Sequence, residues 1–172
     1  MAWTSTGAAG AKLRAADLTT AFVEVRPTSI LKGADEIVSN STTLQDDDEL
    51  VLAVAANTTY RWFADINYGA GAAADYKWGF TFPAAATLTF VGAGWDAALA
   101  FLPSGNGGTY ASGTGIVYGG AGVATIRGLI LRGTLVTGAN AGNWRYQWAQ
   151  NTPTVENTVT KAGSLLTLQK LS

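Results

Sequence analysis

Four consecutive acidic residues, Asp46-Asp47-Asp48-Glu49, form the densest group in this chain with the chemistry to hold a cation. Carboxylates on a tight turn offer the oxygen ligands that calcium takes. The run lacks the spaced Asp-x-Asp-x-Asp-Gly pattern and the distant Glu of a calcium loop. It therefore reads as a solvated turn whose first Asp side chains bond the backbone, with no metal expected. Asp65, Asp75, Asp96 and Glu156 are the carboxylates available for paired acid–base work. Nothing in their spacing brings two of them together, as glycoside hydrolysis would require. The chain has no His and no Cys, which excludes Ser-His and Cys-His nucleophiles, zinc sites and iron–sulfur sites. Two Gly-rich stretches, GAGWDA from Gly92 and GNGGTY from Gly105, lack the Lys-Ser/Thr and following helix of a phosphate loop. The expectation is a non-enzymatic chain without a cofactor.

The aromatics offer a second kind of chemistry. Trp62, Trp78, Trp144, Tyr146 and Trp148 could stack on sugar faces, but they alternate strictly with polar neighbours. That period of two places them in a core. Trp95 and Tyr110 sit in a Gly-rich stretch without alternation and are the better candidates for an exposed contact, with a host surface glycan as its partner.

The elements that position these residues are strands. Tyr60, Trp62, Ala64, Ile66 and Tyr68 alternate with Arg61, Asp65 and Asn67, and Phe63 breaks the pattern. Tyr76–Phe82 and Asn143–Trp148 alternate in the same way, and Pro83 ends the first of these runs. Val123–Val136 is apolar on both faces, with Ile126, Leu129 and Leu131 as candidate residues of a homotrimer interface. Gly, Asn and Asp clusters separate the runs; Asn57, within an Asn-Thr-Thr glycosylation pattern, reads as a left-handed turn residue. The stretch 90–122 is irregular and reads as a hairpin excursion or surface loop.

Residues 1–33 differ from the rest. Ala11, Ala15, Leu18 and Phe22 share one face of a helix predicted over Lys12–Phe22, about three turns long and too short to stand alone. This segment reads as an attachment arm, with Leu13, Leu18 and Phe22 as its gripping residues, or as a cap on the end of a sandwich. Residues 34–172 form the predicted β-sandwich. Only 13% of residues are charged while 48% are hydrophobic, which suits a surface buried against copies or partners. The net charge of -1 gives no electrostatic case for nucleic acid. No apolar run approaches the about 20 residues of a membrane helix, and no secretory signal is expected at the start.

Two blocks carry a resemblance. Ser41–Phe63 and Asn143–Leu171 contain an acidic turn before a Leu-rich strand, Ala-Asn-x-x-Tyr at Ala56–Tyr60, Trp-Ala-Gln-Asn at Trp148–Asn151, and an Ala-Gly-Ser turn at Ala162–Ser164. Together they resemble a domain of tailed-bacteriophage virion proteins, notably of phages of actinobacteria, over residues 30–171. The resemblance implies a particle component of the capsid decoration, head-fibre or minor tail type. It implies an antiparallel jelly roll similar to tumour-necrosis-factor-like trimers, self-associating as a homotrimer and docking on the major capsid protein. A receptor-binding fibre tip or a tail connector is the alternative it leaves open.

Overall fold

Alternating apolar and polar residues can bury one face only if a second layer covers it, and two layers are what the chain builds. The computed structural model describes residues 26–95 and 101–172, so the predicted helix and Leu13, Leu18, Phe22 and Asp96 lie outside the described residues. Among the described residues every regular element is a strand.

In chain order these are β1 (Thr28–Leu31), β2 (Glu36–Val38), β3 (Gln45–Val54), β4 (Thr59–Ala70), β5 (Tyr76–Thr81) and β6 (Thr87–Trp95). They continue as β7 (Phe101–Tyr110), β8 (Ile116–Tyr118), β9 (Gly122–Val136), β10 (Gly142–Gln150), β11 (Thr158–Thr160) and β12 (Leu165–Lys170). One eight-stranded sheet runs β1-β12-β4-β9-β6-β7, with β11 bridging β4 and β2. The second, four-stranded, runs β3-β10-β5-β8. The described pairings are antiparallel, and the chain crosses between the sheets on entering and leaving each of β3, β5, β8 and β10. The predicted all-β sandwich is therefore observed. β1 pairs with β12 over Thr28–Leu31, within the segment assigned to the arm.

The aromatics fill the space between the sheets. Trp62, Trp78, Trp144, Tyr146 and Trp148 are all buried there, as their alternation predicts. Trp62 of one sheet meets Phe80 and Trp144 of the other at ring-centroid distances of 5.2 and 5.3 Å, and Tyr68 stacks on Tyr76 at 4.3 Å. Each large ring removes about 150–250 Å² from water. At about 25 cal/mol per Å² that is an upper bound of about 4–6 kcal/mol per ring. Gly133 of β9 is where β6 comes closest: a Cβ there would lie 1.8 Å from the Thr89 carbonyl oxygen.

Candidate functional site

The acidic run is not a turn. Asp46–Glu49 lies inside β3, where residues 47–50 bulge opposite Tyr146, because Arg145 pairs with Val51 and Gln147 with Asp46. The bulge turns successive carboxylates toward different partners. Asp46 accepts hydrogen bonds from Arg145 at 2.9 Å and Gln147 at 2.8 Å on the surface. Glu49 accepts the backbone N–H groups of Gly33 and Ala34, at 2.7 and 3.1 Å, which hold its pKa below the ordinary glutamate value. Asp47 turns inward and meets Lys32.

Lys32 is the residue that sequence reasoning missed. It follows β1 on the same side as inward-facing Ile30, and only 2% of it is exposed. Its Nζ donates to Asp47 Oδ1 at 2.9 Å and to Glu36 Oε2 at 3.0 Å, with Glu49 Oε1 at 3.8 Å. Burial opposes the lysine charge, but the bonds to Asp47 and Glu36 outweigh it and hold the pKa above the ordinary value. Burial is the largest influence on Glu36 and raises its pKa, against the bonds from Asp48 N–H and Lys32. Asp47 Oδ1 also accepts Glu49 N–H at 3.0 Å and Leu50 N–H at 2.9 Å, while its Oδ2 is buried without a partner. The group sits where β1, at the edge of one sheet, lies against β3, at the edge of the other.

The short motifs of the two blocks turn out to be joints. Gln150 of Trp-Ala-Gln-Asn is fully buried and organises the 150–156 loop. Its Oε1 accepts Ser41 N–H at 3.3 Å and Thr154 N–H at 3.1 Å, and its Nε2 donates to Glu156 O at 2.7 Å and Thr154 Oγ1 at 3.2 Å. Asn57 takes the left-handed conformation expected of it, with φ 53–63° at Asn40, Asp75 and Ala85 and 49° here. Tyr60 Oη then accepts Ala55 N–H across that turn at 2.8 Å. In the Ala-Gly-Ser turn Gly163 has φ +85°, and Ser164 Oγ accepts Asn67 N–H at 3.0 Å. Asp35 clamps the turn from outside through Ala162 N–H and Lys161 Nζ, both at 2.9 Å, and these bonds lower its pKa.

The candidate contact residues separate. Leu129 and Leu131 are fully buried between the sheets, so they cannot form a trimer interface: odd positions of β9 point inward. Ile126 is on the outward side and 64% exposed. Tyr110 is also a core residue rather than an exposed contact. Its hydroxyl donates to the Thr114 carbonyl and accepts Phe80 N–H, and its ring stacks on Trp78. Trp95 is half-buried, with the Arg127 guanidinium 4.6 Å from its ring centroid. The carboxylates considered for catalysis stay apart in their roles. Asp65 stands on the outward face of β4 opposite Leu165 and Ile130, and Asp75 accepts Gly120 N–H at 3.0 Å. Glu156 packs beside Gly71.

The outward face of the eight-stranded sheet is the remaining surface with a clear chemical character. Two registers cross it side by side: Leu31–Leu165–Asp65–Ile130–Ala93 and Ser29–Thr167–Phe63–Arg132–Val91. Leu31, Val91 and Ile130 are exposed large apolar side chains on it. Asp65 and Arg132 stand as diagonal neighbours among them.

Neither a protein-family model nor a curated protein matches this chain. Among solved structures, it is similar to a chain of the infectious bursal disease virus Gt strain, at TM-score 0.20 and 8% identity over 86% of this chain and 38% of that one. It is also similar to the VP2 subviral particle of the same virus, at TM-score 0.21 and 9% identity over 86% of this chain and 37% of that one. The chain thus spans less than two-fifths of the length of those structures. A likeness at such scores carries no argument about function.

Proposed function

We propose that this chain is a non-enzymatic structural protein of a tailed-phage particle, of the capsid-decoration type, which acts as a homotrimer on the outer shell. The observation that carries the reading is the outward face of the eight-stranded sheet. Leu31, Phe63, Val91, Ile130 and Leu165 share it with one carboxylate, Asp65, and the guanidiniums of Arg61 and Arg132. A face of apolar residues with both signs of charge suits burial against further copies of itself, and a closed ring would cover it without open growth. The strand orders β1-β12-β4-β9 and β3-β10-β5-β8, with chain crossings between the sheets, support a jelly roll of the tumour-necrosis-factor type. The short motifs shared with phage virion proteins support the particle assignment.

In this reading Ile126 is kept, and Ile130 takes the place of Leu129 and Leu131 among the residues of β9 that meet a neighbour. The segment before Thr28 reaches to the major capsid protein, and many modest contacts add by avidity once three copies are joined. The test is addition of purified chain to particles lacking it. Saturation at a fixed large fraction of the major capsid protein supports decoration; absence of binding sinks it.

A further inference from the structure

A lysine and an aspartate held in contact inside a β-sandwich, with a second carboxylate on the amine, have the parts of a self-condensing pair. We propose that Lys32 and Asp47 join through an isopeptide bond between Nζ and Cγ, with Glu36 relaying the protons. This is a single self-reaction within the chain and stands independently of the particle reading.

The geometry supplies the attacking amine, the stabilised oxygen and the first proton acceptor. Lys32 Nζ lies 2.9 Å from Asp47 Oδ1, so the amine is already held beside the carboxyl carbon. The side chains of Lys32 and Asp47 are 1% and 0% exposed, which keeps out the water that would favour hydrolysis. The N–H groups of Glu49 and Leu50 already point at Oδ1, the oxygen on which negative charge develops when the amine attacks. Oδ2 is buried and has no partner, which leaves it as the oxygen to depart. Glu36 Oε2 is 3.0 Å from Nζ and can take its proton. A buried ion pair gives up much of its solvation, and a neutral amide removes both charges from the dry site.

The step balances without an oxidant or a co-reactant. The Lys32 ammonium passes a proton to Glu36, which passes it to Asp47 Oδ2. The freed amine lone pair forms the N–Cγ bond. A second proton leaves the nitrogen by the same route, the Cγ–Oδ2 bond breaks, and water departs. An ammonium and a carboxylate become an amide and water, and Glu36 ends as it began. The bond would tie the end of β1, in one sheet, to β3 in the other. A pull from the N-terminal side that had peeled β1 from β12 would then be stopped at Lys32 and passed to β3.

The test is the intact mass of the full chain under denaturing conditions, followed by trypsin digestion. Trypsin cuts after a free lysine and not after an amidated one, and residues 33–60 contain no Lys or Arg. The expected result is a chain lighter than its sequence by one water. Residues on both sides of Lys32 should stay in one peptide through Arg61, with fragmentation locating the link between Lys32 and Asp47. The variant Glu36→Gln, with its fold checked by circular dichroism, should regain the full mass and be cut after Lys32. A wild-type chain of full sequence mass that is cut completely after Lys32 overturns the proposal. A linked Glu36→Gln chain overturns the role given to Glu36.

Discussion

Replacing Gln150 with Leu removes a buried amide while keeping most of its volume, and so isolates what its hydrogen bonds do. Four bonds are lost, two of them to backbone N–H groups of Ser41 and Thr154. Each such bond contributes about 1 kcal/mol net, and a buried donor left unsatisfied costs about 1–3 kcal/mol. Ser41 and Thr154 are only half-buried, so water can replace part of what they lose. The expected destabilisation is about 2–4 kcal/mol. At about 2–4 °C per kcal/mol for a chain of this size, the melting temperature should fall by about 4–16 °C. Urea titration and calorimetry read both quantities. Gln147→Leu serves as the control, because its bond to Asp46 is exposed. Its cost should stay below about 1 kcal/mol. A change below about 0.5 kcal/mol in Gln150→Leu would refute the claim that the Trp-Ala-Gln-Asn motif is a joint of the fold.

Further outcomes follow from the same geometry. Gly133→Ala forces a methyl group into the Thr89 carbonyl and should cost at least about 1–3 kcal/mol, or abolish soluble folding, in expression and denaturation assays. In the proposed homotrimer, Ile130→Arg should leave the melting temperature of the protomer within a few degrees but shift the sedimentation coefficient from trimer to monomer; an unchanged trimer would remove this face from the proposed interface. Asp35 and Glu49 both have lowered folded-state pKa values, so their stabilisation is present above the unfolded value and is lost as pH falls through the folded one. Urea midpoints should therefore drop as pH falls through and below the ordinary carboxylate range. Asp35→Asn combined with Glu49→Gln should flatten that decline, and an equally steep decline would exclude these two groups as its source.

The strands were legible because their alternation is a direct image of a two-layer core. Tyr60–Tyr68, Tyr76–Phe80 and Trp144–Trp148 each bury the side the pattern indicates. The acidic run was misread because four carboxylates disfavour a strand by propensity. What overrides the propensity is tertiary: a bulge and a buried lysine whose partner lies fifteen residues away. The available signal was Lys32 itself, two residues beyond inward-facing Ile30 and thus on the same side of the strand. Tyr110 was misread because glycines around it erase the alternation that marks a core aromatic. Its burial comes from pairing of β7 with β6, a long-range fact. On β9, composition showed apolar residues on both faces but not which face was inward, so Leu129 and Leu131 were grouped with Ile126.

The motifs that carry the resemblance have structural work in this chain. Gln150, Tyr60, Ser164 and Asn57 each close a turn or a loop. Their roles lie inside the fold, so they say nothing of a partner.

The most direct test of the particle assignment is the amount of this chain in purified virions, measured against the major capsid protein on a quantitative stained gel. A fixed large fraction of the capsid protein is the result the account predicts. Only a handful of copies per particle, or none, would contradict it.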